Sequence, residues 1–167
     1  MTNPTPQSNP AISLPLRQAK RKMRNAAIAS LIFAIAHLAY AQFMKYSESC
    51  QANMRSQEFC EIAIQVLVIL AVFLLVTGLG VILRSEIAAR LLPLYPALVL
   101  FFLVPASIVA LLGNWTLDAN QSGLIIVVLA YGLHLYFAYQ GLEGMFAYQD
   151  LIKENKCNQQ SLDQGAI

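Results

Sequence analysis

The sequence predicts an all-α integral membrane protein, a bundle of four transmembrane helices with cytoplasmic N- and C-termini. Of its 167 residues, 57% are hydrophobic and only 12% are charged, whereas a soluble domain carries about 25% charged residues. Four apolar segments approach or exceed the ~20 residues that a helix needs to cross a bilayer. Most basic residues lie on one side of these segments, which gives the predicted orientation.

The predicted four-span domain covers residues 26–152, and its spans lie at about 26–44, 62–83, 94–113 and 123–145. Helices are predicted because lipid offers no hydrogen-bond partner to the backbone. The run from Val66 to Val76 does not alternate between polar and apolar residues, as a barrel strand would. Residues 1–25 are predicted to form a disordered basic tail, and residues 153–167 a flexible one.

The orientation follows from the lysine and arginine residues. Of the eleven, nine precede the first span, lie in the second connection or follow the fourth span, whereas Lys45 and Arg55 lie in the first connection. Both termini are therefore predicted to be cytoplasmic. The small size and short loops favour a bacterial inner (plasma) membrane.

An alternative is that the first apolar segment is a cleaved signal peptide. It has a basic front, a short apolar core and the small-x-small sequence Ala39-Tyr40-Ala41. Cleavage would remove residues 1–41, leave three spans and move the N-terminus outside. The long lead, and His37 within the apolar core, favour an uncleaved anchor.

Two cysteines, Cys50 and Cys60, lie in the first outer connection. Because that side of a membrane is oxidising, we predict a disulfide that shapes the loop. Closing about ten residues would stabilise the fold by roughly 2.5 to 3 kcal/mol through the entropy of the unfolded chain. A redox-active pair would have C-x-x-C spacing. Cys157 is predicted to be a free cytoplasmic thiol.

The two histidines of the chain, His37 and His134, lie near the middle of the first and fourth spans. Each shares a helix face with small residues, which allow close helix approach. Those small residues are Ser30, Ala34 and Ala41 beside His37, and Ala130, Ala138 and Gly141 beside His134. Both histidines are therefore predicted to face the interior of the bundle.

Three interpretations of the histidines remain open. In the first, each is neutral and hydrogen-bonds across a helix interface. In the second, they ligate one b-type haem from opposite sides, and no other metal or cofactor is predicted. In the third, they form a proton or ion relay with Gln65, Tyr136 and Glu143.

The fourth span also carries a polar stripe that includes Tyr136, Gln140 and Glu143. Glu143 lies toward the cytoplasmic end of that span, where we expect it to meet water or to pair with Arg84 or Arg90. The intervening segment, residues 84–96, is predicted to be a short interfacial helix or a plain turn, and the sequence does not decide between them.

The predicted function is that of an accessory, assembly or interaction protein that binds the lipid bilayer and a partner membrane protein or a second copy of itself. The alternative is a small carrier or channel, or a single-haem redox protein, that uses His37 and His134. No enzyme is expected, because the sequence has no Gly-rich phosphate loop, H-E-x-x-H, nucleophile elbow or carboxylate cluster. A net charge of only +2 does not indicate a nucleic-acid partner.

Four spans with a cysteine pair in the first outer loop resemble the claudin-like tetraspan arrangement in outline. The tryptophan-rich signature of that family is absent, since the single tryptophan, Trp115, lies in the other outer loop. The C-x-x-C of vitamin-K-epoxide-reductase-like proteins is absent as well. Small multidrug exporters place a carboxylate in the first span, where this chain has only His37. No family is assigned on these residues.

Overall fold

A computed structural model describes residues 10–47, 50, 54–113 and 119–164. This part of the chain contains no strand, and its helices are α1 (Pro10–Tyr46), α2 (Met54–Ile82), α3 (Glu86–Leu91), α4 (Leu94–Gly113) and α5 (Ala119–Gln164). The all-helical prediction is therefore confirmed. Four helical segments are long and apolar enough to cross a membrane, and the third joins α3 to α4.

The helices extend beyond the predicted spans. Residues 10–25, predicted to be disordered, form the first part of α1, and residues 153–164, predicted to be flexible, continue α5. Residues 1–9 and 165–167 of the two predicted tails lie outside the described residues. The extensions are helical because apolar side chains of α1, namely Leu16, Ala19 and Met23, pack with Met145 and Tyr148 of α5. This contact supplies the tertiary packing from which most helix stability comes.

The long helices pack side by side in the order α2, α1, α5, α4. Helix α1 therefore lies between α2 and α5, and α4 rests mainly on α5. One hydrophobic cluster contains Ala34 of α1, Ala71 and Leu74 of α2, and Tyr95 of α4.

Small residues bring the helices close together at the end of the bundle that carries the basic cluster Arg17–Arg24, called here the basic end. A Cβ atom built on Gly141 would lie 2.4 Å from Ala26 Cβ, and one on Gly144 would lie 2.8 Å from the Ala19 carbonyl oxygen. Between α2 and α3, the corresponding distance from Gly80 to Ala88 Cβ is 2.5 Å. These glycines therefore permit helix contacts that any side chain would prevent.

The connection between α2 and α4 contains a short capped helix. Arg84, at φ 63°, ends α2, and the backbone N–H groups of Arg84 and Ser85 donate to the carbonyls of Val81 and Gly80, as in a Schellman motif. The Ser85 hydroxyl then accepts from the Ala88 N–H at the start of α3. Of the two predictions for residues 84–96, the short helix is the correct one. Because Ala88 and Ala89 are buried, α3 forms part of the core.

At the opposite end, the predicted cysteine pair is present. The sulfur atoms of Cys50 and Cys60 lie at disulfide distance, and their Cα atoms are 5.8 Å apart. We call this the disulfide end. Cys157 is unpaired and exposed, as predicted for a free thiol.

Replacing Gly141 by alanine is predicted to destabilise the contact between α1 and α5. The new methyl group would overlap Ala26, and overpacking of this kind costs about 1–3 kcal/mol. The matched control is Gly132→Ala on the same helix, where a Cβ meets no atom within 4 Å. The control should leave stability unchanged or raise it by up to about 1 kcal/mol through helix propensity.

The measurement is the midpoint of thermal unfolding of both variants in detergent, followed by circular dichroism. A lower midpoint for Gly141→Ala alone is expected. Equal behaviour of the two variants would contradict the close approach of α1 and α5.

Candidate functional site

The side chain of His37 lies at the meeting point of three helices. It is 6% exposed, and its Nδ1 lies 2.6 Å from the carbonyl oxygen of Phe33, one turn earlier in α1. Its Nε2 lies 2.5 Å from the hydroxyl of Tyr95 on α4 and 2.9 Å from that of Tyr131 on α5. His37 therefore joins α1 to both α4 and α5.

The hydrogen-bond partners determine where the protons of His37 lie. A carbonyl oxygen can only accept, so Nδ1 carries the proton and donates it to Phe33. In the neutral ring, Nε2 is then an acceptor for a tyrosine hydroxyl. The hydroxyls of Tyr95 and Tyr131 are themselves 2.9 Å apart. One hydroxyl proton can thus go to His37 and the other to the neighbouring tyrosine oxygen. The three atoms form a triangle in which two of the three sides are hydrogen bonds at any one time.

The second histidine, His134, packs beside this triangle. It is 1% exposed, and its ring stacks on Phe33 with centroids 4.3 Å apart and planes 20° apart. Its Nε2 lies 3.4 Å from the Ser30 hydroxyl, which is long for a hydrogen bond. Among the described residues its Nδ1 has no hydrogen-bond partner. We refer to His37, Tyr95, Tyr131, His134 and Phe33 as the histidine–tyrosine cluster.

The two imidazoles do not face one another across an open space. The ring of Phe33 covers His134, and the hydroxyls of Tyr95 and Tyr131 occupy the only free lone pair of His37. A haem ligated by both histidines would require Phe33 and both tyrosines to move away. The described residues also contain no group of three or more histidine, cysteine or acidic residues close enough to hold a metal ion.

The other predicted candidates lie away from the cluster. Gln65 is exposed on α2, and Tyr136 is 57% exposed on α5, where its hydroxyl accepts a hydrogen bond from Gln140. Glu143 is exposed, which agrees with the expectation that it meets water. It forms an ion pair with Lys22 of α1 at 2.9 Å, so the alternative expectation, pairing with Arg84 or Arg90, is wrong. Instead, Arg84 stacks over Tyr148 and Arg90 pairs with Glu86. The relay through Gln65, Tyr136 and Glu143 is therefore not assembled in this structure.

Sequence reasoning did not single out the two tyrosines that hold His37. One signal was available for Tyr131, which lies three residues before His134 and inside an apolar span. Tyrosine in a spanning helix usually lies at the interface with water, so a tyrosine near the middle of a span needs a buried hydrogen-bond partner. Tyr95 lies between Pro93 and Pro96 at the end of the inner connection, and its position there resembles that of an ordinary interfacial tyrosine.

Comparisons with known proteins add no relative: no protein family, no curated protein and no solved structure matches this chain.

The triangle predicts that Tyr95→Phe and Tyr131→Phe are strongly non-additive. After either single change, the remaining hydroxyl can still donate to His37, so each should cost about 0.5–1 kcal/mol. The double variant leaves Nε2 buried without a donor, and it should cost at least about 1 kcal/mol more than the sum of the single effects.

The measurement is the free energy of unfolding of the four proteins of this cycle in mixed micelles. Tyr139→Phe serves as the control, because Tyr139 is exposed on the same helix. If the losses of stability in Tyr95→Phe and Tyr131→Phe simply add in the double variant, the two hydroxyls do not share Nε2 of His37 as an acceptor.

Proposed function

We propose that the chain is an integral membrane protein with four spans, both ends in the cytoplasm, and a role as an accessory, assembly or interaction protein. Membrane insertion is supported by the four long apolar helices and by the large apolar side chains exposed along all of them. The cytoplasmic side is assigned to the basic end, because nine of the eleven lysine and arginine residues lie there by sequence.

The observation that carries the interaction role is the length of α1 and α5. They contain 37 and 46 residues, which corresponds to about 55 Å and 69 Å, whereas the hydrocarbon core is ~30 Å thick. The excess lies at the basic end, where both helices remain packed together through Ala19, Met23, Gly144 and Met145. Here the two helices form a paired extension that the bilayer itself does not require.

The surface of this paired extension is charged on both helices. Arg17, Lys20, Arg21 and Arg24 are exposed on α1, and Asp150, Lys153 and Glu154 are exposed on α5. A rigid, charged pair of helices next to a membrane is suited to contact with another protein, since charge complementarity gives specificity and speeds association. We therefore assign the partner contact to the paired extension.

The histidine–tyrosine cluster also supports an interaction role, because its hydrogen bonds serve to hold the helices together. His37 has both ring nitrogens bound to protein atoms. The cluster thereby links α1, α4 and α5 by hydrogen bonds, as polar residues do between membrane helices. In this account the histidines hold the structure together and are not a transport site.

One observation favours the carrier alternative. Nδ1 of His134 is buried and has no partner among the described residues, and buried histidines next to tyrosines are suited to proton transfer. The test is proton flux into liposomes that contain only this protein. Flux that is abolished in His134→Phe and retained in Tyr139→Phe would replace the interaction role by a carrier role.

The predicted topology places the two termini on the same side of the membrane. Epitope tags on the N- and C-terminus should both be inaccessible in intact cells and become accessible after permeabilisation. A native control is available in Cys157, which should react with an impermeant maleimide only after permeabilisation. Tags accessible from opposite sides would contradict the four-span topology.

The interaction role predicts a defined protein neighbour at the paired extension. A photo-crosslinking amino acid at Gln18 or Arg21, both exposed on α1, should give one dominant protein adduct of constant mass in native membranes. The matched control is Ile69, which is exposed on the apolar surface of α2 and should crosslink lipid.

Replacing Arg17 and Arg21 by glutamate should lower the yield of this adduct at Gln18 at least about fivefold. Charged residues at the edge of a protein–protein interface control how fast the two partners associate. No protein adduct at either position, or an unchanged yield in the charge-reversed variant, would contradict the interaction role.

A further inference from the structure

A groove runs along the outside of the molecule between the third and fourth spanning helices. It encloses about 650 Å³ and is lined by Arg90, Pro93, Leu94, Ala97, Gly132, Leu135, Tyr136 and Tyr139. We call this the α4/α5 groove. The volume lies within the range of about 300–1,000 Å³ that is typical of small-molecule sites.

The groove has charge at one end only. Arg90 lies at the basic end, where its guanidinium is 5.7 Å from the centre of the Phe146 ring and pairs with Glu86. The guanidinium has five N–H donors, so one carboxylate partner leaves donors for a second anion. The remaining lining is apolar or aromatic, and Tyr136 accepts its hydrogen bond from Gln140. The groove therefore changes along its length from a charged end, where Arg90 has donors left beside its pair with Glu86, to an apolar end.

The groove covers much of the acyl-chain region of one leaflet. The Arg90 end lies beside Phe146, one turn from Glu143, which pairs with Lys22 of the basic cluster. On α5 the lining residues run from Gly132 to Tyr139, a distance of about 10 Å along the helix. Half of the hydrocarbon core is about 15 Å thick. The groove therefore covers most of that depth, with Arg90 at its headgroup end.

The space is too small for another helix. A helix with its side chains has a diameter of about 10 Å and would fill on the order of 800 Å³ over the length of the groove, more than the groove offers. An acyl chain is thinner, and the missing side chain of Gly132 leaves open space at the inner end of the groove, where a Cβ would meet no atom within 4 Å. The dimensions therefore favour a lipid over a second copy of this chain.

We propose that the α4/α5 groove binds one anionic phospholipid of the cytoplasmic leaflet. The lipid phosphate contacts Arg90, and one acyl chain passes Tyr139 and Leu135 to reach the open space at Gly132. This inference goes beyond the accessory role and rests on the membrane insertion proposed above. Bound lipid would fill the gap beside α4, whose main contact in the described structure is α5.

The experiment uses the purified full chain in detergent with equal amounts of phosphatidylglycerol and phosphatidylcholine of identical acyl chains. Native mass spectrometry then counts the lipids that remain bound. The wild type should retain one phosphatidylglycerol per chain in preference to phosphatidylcholine. Gly132→Leu should lower retention of both lipids about tenfold, because the leucine side chain takes the space of the acyl chain.

Gly123→Leu is the matched control, since a Cβ at Gly123 also meets no atom within 4 Å and Gly123 is outside the groove. It should retain lipid as the wild type does. Arg90→Gln should lower the ratio of phosphatidylglycerol to phosphatidylcholine about fivefold, the effect of one basic residue near anionic lipid. Arg21→Gln, which removes an exposed charge from α1, should leave the ratio unchanged.

Four outcomes would overturn the proposal. The first is wild-type retention in Gly132→Leu, and the second is an equal loss in Gly123→Leu. The third is displacement of phosphatidylglycerol by inorganic phosphate alone, which would indicate a phosphate site. The fourth is a dimer of the chain that disappears in Gly132→Leu, which would assign the groove to a second copy. Failure of membrane insertion gives a separate result, release of the protein from membranes by alkaline carbonate.

Discussion

The structure depends on one constraint: most of its large apolar side chains point outward. Ile69, Phe101 and Leu133 are 66%, 72% and 57% exposed. Burial of such a side chain away from water contributes about 1.5–3 kcal/mol, so a fold that leaves so many of them uncovered needs an apolar surrounding. An apolar surrounding in turn supplies no hydrogen bonds, so polar groups in the spans are stabilised by partners within the protein. Thr77 and Ser107 donate to carbonyls one turn earlier, and His37 hydrogen-bonds across three helices. Nδ1 of His134 is an exception among the described residues.

In the bilayer proposed above, the hydrophobic effect does not hold helices together, and close packing and hydrogen bonds take its place. Close packing and interhelical hydrogen bonds are found at different positions along the helices. At the basic end, Gly141 and Gly144 let α1 and α5 approach until backbone and Cβ atoms touch. Farther along, the histidine–tyrosine cluster bonds α1 to α4 and α5. The glycine contacts bring the two helices of the paired extension together, and Tyr95 joins α4 to the cluster by hydrogen bonds.

The sequence predicts much of the fold because helix formation and apolar character are local properties. The four helical segments, the Cys50–Cys60 pair and the burial of both histidines among small residues follow from composition and spacing. The partners of those residues do not follow, since they depend on how each helix is rotated about its axis. A rotation of one helix decides whether Glu143 meets Lys22 or Arg90, and whether His37 meets a tyrosine. The helical extension of residues 10–25 was also beyond local rules, because it is stabilised by Met145 and Tyr148, more than 120 positions away.

The most direct test of the membrane account is a depth measurement by electron paramagnetic resonance. Nitroxide labels would be placed in proteoliposomes at Ile32, Ile69 and Leu133 on the apolar surface, and at Lys20 and Lys156 near the two ends of the chain. The account predicts frequent collisions with oxygen and few with a water-soluble nickel complex at the first three sites, and the reverse at the two lysine positions. Equal nickel accessibility at all five positions would show that water surrounds these helices, and it would contradict the account.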